Sequence, residues 1–276
     1  MILSDMIPSL GFLGAGNMAT AILGAVASKG LIEPGNIAAT DVFAEKPKVL
    51  AKKFGTSACG SPKELLAACK TIVLAVKPQD LPTLLESIAG SATREHLFIS
   101  ICAGVRTEKI EAALDKGSDA PRVVRVMPNT PALIGQGAAG VAGGAHATPQ
   151  DIQATVALFE AVGIAAEVKE ADLDAITALS GSGPAYVFKF IETIQAAGEA
   201  MGLDAELARR FTIQTFVGAA NLAAESDDSP AELRAKVTSK GGTTAAALDK
   251  FAEGELERVI GDGVKSARER SIELAE

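Results

Sequence analysis

Through the first 168 residues, short apolar runs alternate with segments of helical period. "IPSLGFLGAG" (7–16) reads as a strand that ends in glycines, and "NMATAILGAVASKG" (17–30) as a helix closed by Gly30. "NIAATDVF" (36–43) is a second strand, and "KPKVLAKKFG" (46–55) a helix that stops at Gly55. The wholly apolar "TIVLAVKP" (71–78) is a strand halted by Pro78. "HLFISICAGV" (96–105) and "RVVRVMPN" (122–129) are two more strands, with the helical "RTEKIEAALDKG" (106–117) between them. "GAAGVAGGA" (137–145) and "AAEVKE" (165–170) read as edge strands. This alternation marks βαβ units around a parallel sheet buried on both faces.

From Ala171 onward the period is helical, with almost no β-branched runs. "AYVFKFIETIQAAGEAMG" sets Val187, Ile191 and Ile194 on one face among alanines. "AELARRFTIQTFVGAANLAAES" and "LERVIGDGVKSARERSIELAE" are further long helices, and Ser229 before Pro230 marks a capped start between them. The expected fold is α/β: a doubly wound domain over residues 1–168 and an all-helical domain over 169–276. A length of 276 residues suits two domains.

Composition narrows the chemistry. The chain is 48% hydrophobic but only 4% aromatic and lacks tryptophan, so its cores must be aliphatic and alanine-rich. A net charge of -8 without a basic block argues against nucleic acid as a partner. The stretch "LGFLGAGNMATAILGAVA" has the length of a membrane span, but Gly11, Gly14, Gly16 and Asn17 interrupt it, so no membrane association is expected. "MILSDMIPSL" lacks the basic region of a secretory signal. Cys59, Cys69 and Cys102 have no zinc spacing, and His96 and His146 are the only histidines, so no metal site is expected. Reduced thiols fit a cytoplasmic protein.

Gly14-Ala15-Gly16-Asn17-Met18-Ala19 follows the first strand and opens a helix, giving G-x-G-x-x-A in its required context. Gly14 permits the tight turn, Gly16 lets a pyrophosphate reach the backbone, and Ala19 lets helix and strand pack closely. The helix start then presents free N–H groups and a positive dipole end to phosphate. These features describe a Rossmann dinucleotide-binding domain. Asp41, at the end of the second strand, can accept hydrogen bonds from a ribose and repel a 2′-phosphate, which points to NADH. Lys46 and Lys48 nearby could serve a 2′-phosphate or be solvated helix charges.

"TIVLAVKPQD", "ISICAGV", "RVMPNTPALIGQGAAGV", "LSGSGPAYVFKFIETIQAAGEAMGL" and "VTSKGGTTAAAL" occur in that order after "GFLGAGNMA". Together they resemble the pyrroline-5-carboxylate reductases over essentially the whole chain. The most specific segments are "LSGSGPAY" and "GGTT". The resemblance implies a helical dimerisation domain and NADH- or NADPH-dependent reduction of a cyclic imine, 1-pyrroline-5-carboxylate, to L-proline. It places Ala75, Val76, Lys77 and Pro78, then Ala103 and Gly104, at strand ends along the cofactor. It puts Asn129 and Thr130 near the nicotinamide, although both residues could simply cap a turn. Asp41 stands where many members carry a small polar or basic residue, and Lys236 is placed to reach a cofactor of its own or a neighbouring subunit.

Reducing a cyclic imine needs a hydride donor, a held carboxylate, an electrophilic C=N and dry walls. The imine nitrogen is basic enough to carry its own proton, so a hydrogen-bond partner suffices and no catalytic His or Cys is required. By resemblance, the carboxylate rests on backbone N–H groups around Gly241, Gly242 and Thr243 with Ser239 assisting, and Thr244 addresses the ring nitrogen. Glu170 matches a position on the substrate side, or is an ordinary surface charge. A helix cap alone needs one Ser, Thr or Gly, not the density of "SKGGTT".

Three other readings compete: another imine reductase, a β-hydroxyacid dehydrogenase, and a non-catalytic dinucleotide sensor. The dehydrogenase needs a lysine and an asparagine where Val187 and Ile191 stand, and the intact "GGTT" speaks against a sensor. The alanine-rich helices are too thin to bury every face alone, which predicts a homodimer of intertwined helices with an active site drawing on both chains. The resemblance also allows a decamer.

Overall fold

The computed structural model describes residues 3–115 and 120–275. Eight strands form one sheet: β1 (Leu10–Leu13), β2 (Ile37–Thr40), β3 (Ser57–Ala58), β4 (Thr71–Leu74), β5 (Leu97–Ser100), β6 (Arg122–Met127), β7 (Gly137–Gly143) and β8 (Gly163–Glu167). Their order is β3-β2-β1-β4-β5-β6-β7-β8. From β3 to β6 every pairing is parallel, in register from Leu10↔Ile37 and Leu10↔Thr71 outward. β7 then runs antiparallel to β6, and β8 runs parallel to β7. The sheet is therefore mixed, and "GAAGVAGGA" is an interior strand, not an edge. A chain that turns back on β6 through the short helical segment Thr130–Ile134 can only pair antiparallel.

Side-chain alternation divides the core into two layers. Leu10, Phe12, Val73, Leu97 and Ile99 face a layer built with Ile22, Leu23 and Val26 of helix Asn17–Ser28 and Leu158 and Phe159 of helix Pro149–Glu160. Leu13, Ile72, Leu74 and Phe98 face the opposite layer, with Leu65, Leu66, Leu85, Ile88 and Ile110 from helices Pro62–Ala68, Leu81–Ile88 and Thr107–Leu114. Each such side chain contributes about 1.5–3 kcal/mol on full burial. The last helix of this layer ends at Leu114; the residues 116–117 that its sequence pattern included lie outside the described residues.

The chain separates into two compact units. One runs to Ser182 and takes in Ala267 onward; Gly183–Ser266 form the other. The division falls later than the change of period at 168/169, because the helical turns 170–181 belong to the sheet unit. A Cβ on Gly140 of β7 would strike Ile176 at 2.7 Å and Leu173 at 3.0 Å, and one on Gly181 would strike Met127 at 2.5 Å. The second unit holds helices Gly183–Ala200, Ala205–Glu225, Pro230–Lys236, Thr243–Glu253 and most of Leu256–Ala275. Ser229 and Glu232 cap the third of these reciprocally, as the Ser-Pro start foretold. Many of its large apolar residues are exposed in a single chain, among them Phe188, Ile194, Phe211 and Leu222. Among the described residues no helix is long and apolar enough to cross a membrane, and no cluster of side chains could hold a metal ion.

Candidate functional site

In chain order the sheet grows from β1 outward to β3, then resumes on the other side of β1 at β4. The carboxyl ends of β1 and β4 are thus the switch point of the sheet, the place where open α/β sheets bind ligands. Gly14 sits there with φ 103°, in the region favourable to glycine. Its N–H donates to Thr40 O at 2.9 Å, and a Cβ would lie 2.5 Å from Ala75 O. Gly16 is the N-cap of helix Asn17–Ser28 and gives it no side-chain cap. A Cβ on Gly16 would meet nothing within 4 Å among the described residues. Backbone N–H groups at the helix start therefore face open space, as a pyrophosphate cradle requires. Ala19 is buried against the strand layer.

Asp41 follows β2, and its carboxylate is fixed by the backbone. Oδ2 accepts the N–H of Ala15 at 2.8 Å, and Oδ1 accepts that of Phe43 at 2.9 Å. Lys46 Nζ is 3.5 Å from Oδ1 and lies over the Phe43 ring, so this lysine is already paired. Lys48 pairs with Glu45 on the exposed helix face.

Beyond β4, Ala75 N–H donates to Leu13 O at 2.8 Å, while Lys77 and Pro78 are exposed. Cys102, which no local motif singled out, donates its thiol to Val76 O at 3.3 Å. Burial pushes that thiol up to about 11. Cys102 thereby ties the β5-end loop, with exposed Ala103 and buried Gly104, to the β4-end loop. Asn129 is fully engaged: Nδ2 donates to Ser180 O at 3.0 Å, and Oδ1 accepts Ala138 N–H at 2.9 Å. It braces β7 and the π-helical turn Thr177–Gly181, and Thr130 begins the adjoining short helix.

Glu170 is not a free surface charge, although its side chain remains 24% exposed. Its oxygens accept the Thr107 N–H at 2.8 Å and the Thr107 hydroxyl at 2.7 Å, and Arg125 Nη1 lies 3.4 Å away. The buried guanidinium in β6 demands a counter-charge, which is why this glutamate turns inward. Lys236 pairs with Asp228 on the surface of its own unit.

In the helical unit, Gly241 has φ 70° and Gly242 is the N-cap of helix Thr243–Glu253 without a side-chain cap. Ser239 O accepts the Gly242 N–H at 3.0 Å, and the Ser239 hydroxyl lies 2.4 Å from where a Cβ on Gly242 would stand. Thr243 is exposed and Thr244 half-buried. No side chain caps the start of this helix, so the backbone N–H groups that follow Gly242 are the candidate anion donors.

Residues 170–274 match the family model described as pyrroline-5-carboxylate reductase dimerisation, and residues 9–104 match one described as NADP oxidoreductase, coenzyme F420-dependent. The pyrroline-5-carboxylate reductase of Pseudomonas aeruginosa is 41% identical over 98% of this chain and 97% of its own length. This chain belongs to the pyrroline-5-carboxylate reductase family. The Methanosarcina acetivorans reductase is 39% identical over 96% of this chain and 97% of its own length. Among solved structures, the reductase of Coxiella burnetii superposes with a TM-score of 0.90 at 35% identity, covering 97% of this chain and 98% of its own. That of Plasmodium falciparum, solved with NADP bound, gives 0.86 at 31% identity, covering 97% and 98%. The dimerisation model spans the helices whose apolar faces a single chain leaves exposed, which accounts for that exposure by oligomerisation.

Proposed function

We propose that this protein reduces 1-pyrroline-5-carboxylate to L-proline with NADH or NADPH, the last step of proline biosynthesis, as a cytoplasmic homodimer. The observation that carries the reading is the helix start at Thr243, which no side chain caps, in a member of this family that also keeps an unobstructed dinucleotide cradle. The nicotinamide supplies the hydride to the carbon of the C=N bond. The Gly14–Ala19 turn holds the pyrophosphate through its helix N–H groups, and Asp41 accepts from the adenosine ribose, which favours NADH over NADPH. Backbone N–H groups around Gly241 and Thr243 hold the substrate carboxylate, with Ser239 beside them, while the Gly242 N–H stays bonded to Ser239 O. Thr244 hydrogen-bonds the ring nitrogen, which carries its own proton, so positioning and electrostatics supply the rate.

The β-hydroxyacid dehydrogenase alternative lacks its acid. Lys189 is exposed and paired with Glu192 at 3.2 Å, and Val187 and Ile191 hold the positions that matter. The test is the loss of NADH or NADPH absorbance with pyrroline-5-carboxylate. Turnover is expected, faster with NADH. No turnover with either cofactor overturns the proposal, and turnover of 3-hydroxy acids instead supports the dehydrogenase.

A further inference from the structure

A buried polar cluster lies at the carboxyl ends of β5 and β6, where Ser100 is in register with Arg125. Arg125 is 1% exposed, and its Nη2 finds no hydrogen-bond acceptor among the described residues. Its counter-charge is Glu170, whose two oxygens also take both hydrogen bonds from Thr107. Thr107 opens helix Thr107–Leu114, and the N-cap residue Arg106 gives that helix no side-chain cap. Glu170 therefore caps the helix from a segment 63 residues away, placing its charge at the positive end of the dipole.

Four residues further on, Asp174 is 3% exposed and accepts the Ser271 hydroxyl at 2.8 Å. Its other oxygen lies 3.6 Å from Arg106 Nη2. The same closing helix brings Leu274 against Gly104, where a Cβ would lie 3.2 Å from Leu274 Cβ and O. Loop 101–106 is thus held at three of its residues and at the one that follows: Cys102 ties it to Val76, Leu274 packs on Gly104, Asp174 holds Arg106, and Glu170 fixes Thr107.

Apolar packing would stabilise this region at least as well as a buried ion cluster, whose desolvation is costly. What hydrogen-bonded carboxylates add is a fixed position. The loop they fix stands beside the switch point, where a displacement of about 1 Å in a reacting group can cost about 100-fold in rate.

We propose that Glu170 and Asp174 are positioning residues for the cofactor: they clamp loop 101–106 so that Ala103 and Gly104 hold the nicotinamide half of the dinucleotide. The inference rests on the NAD(P)H reading above, but not on the identity of the imine. The test measures NADH binding by its own fluorescence, without any imine, in Glu170→Gln and Asp174→Asn. Steady-state constants and melting temperatures follow for the same proteins. Each variant should bind NADH about 10-fold more weakly, with KM for NADH rising in step and KM for the imine staying within about twofold. Glu170→Asp, which keeps the charge, should recover part of the loss. Ser271→Ala removes the hydrogen bond to Asp174 but leaves that carboxylate facing Arg106; it should weaken NADH binding by about threefold and serves if the charge variants fail to fold. A lower melting temperature with unchanged NADH binding in folded variants overturns the clamp and leaves the cluster only a stabilising role. A wild-type protein that binds NADH but leaves the imine unreduced overturns the proposed reaction instead, and the binding comparison still decides the clamp.

Discussion

Replacing Asp41 with serine removes a carboxylate that two backbone donors hold in place, Ala15 N–H at 2.8 Å and Phe43 N–H at 2.9 Å. Those two N–H groups stay behind, together with Lys46, whose Nζ stands 3.5 Å from the lost oxygen. The variant therefore exchanges an anion for an anion-binding site. Two unit charges 4 Å apart interact by about 1 kcal/mol in water and about 4 kcal/mol at an effective dielectric of about 20. Asp41 is 9% exposed and partly neutralised by Lys46, so about 2 kcal/mol of repulsion is a fair figure for a 2′-phosphate carrying between one and two charges. Loss of a charged acceptor for the ribose hydroxyl costs NADH a further 1.5–3 kcal/mol, approximately. The first effect helps NADPH and the second harms NADH, so the ratio of their kcat/KM values should move toward NADPH by at least about 100-fold, or roughly 2.7 kcal/mol. The assay compares kcat/KM for the two cofactors at saturating imine, at low and at high salt. Adding Lys46→Ala to the serine variant should remove part of the gain in NADPH use. A ratio that moves less than threefold, or toward NADH, refutes the assignment of Asp41 to the ribose.

Other substitutions probe the remaining parts. Gly14→Ala would force a side chain to 2.5 Å from Ala75 O at φ 103°, so it should cost about 1–3 kcal/mol of stability and abolish NADH binding, as read by thermal unfolding and fluorescence titration. Thr244→Ala should lower kcat/KM by about 1–3 kcal/mol with NADH binding unchanged; normal kinetics would remove Thr244 from the substrate. Burial holds the thiols of Cys69 and Cys102 at about 11, so at pH 8 on the order of 0.1% of each is thiolate, and neither should react with a thiol reagent until the protein unfolds. Rapid labelling of either one in the folded enzyme would contradict the packing of β4 and β5.

Local features were readable where they depend on neighbours in sequence. The glycine turn, the helix after it and the apolar runs at β1, β4 and β5 follow from spacing alone, because their conformations are set within a few residues. Helices Pro62–Ala68 and Pro149–Glu160 carried comparable signals, Ser61 before Pro62 and the Thr148–Asp151 capping box, and could have been found by them. The reversal at β7 was not readable, since parallel and antiparallel strands share a two-residue period and differ only in what the connection allows. Nor were the partners of the charged residues. Asp41 meets Ala15 across 26 positions and Glu170 meets Thr107 across 63, and no local pattern encodes such pairings. The sequence marks Glu170 as a candidate, but nothing near it in sequence points to the buried Arg125, 45 positions away.

The most direct test of the proposed chemistry follows the hydride itself. Protein, pyrroline-5-carboxylate and NADH carrying deuterium at both C4 positions of the nicotinamide are incubated together, and the product is examined by mass spectrometry. L-Proline carrying a single deuterium on the ring carbon that was part of the C=N bond, formed one for one with the NADH consumed, is the predicted result. NADH consumption without proline, or proline without the label, would contradict direct hydride transfer to the imine.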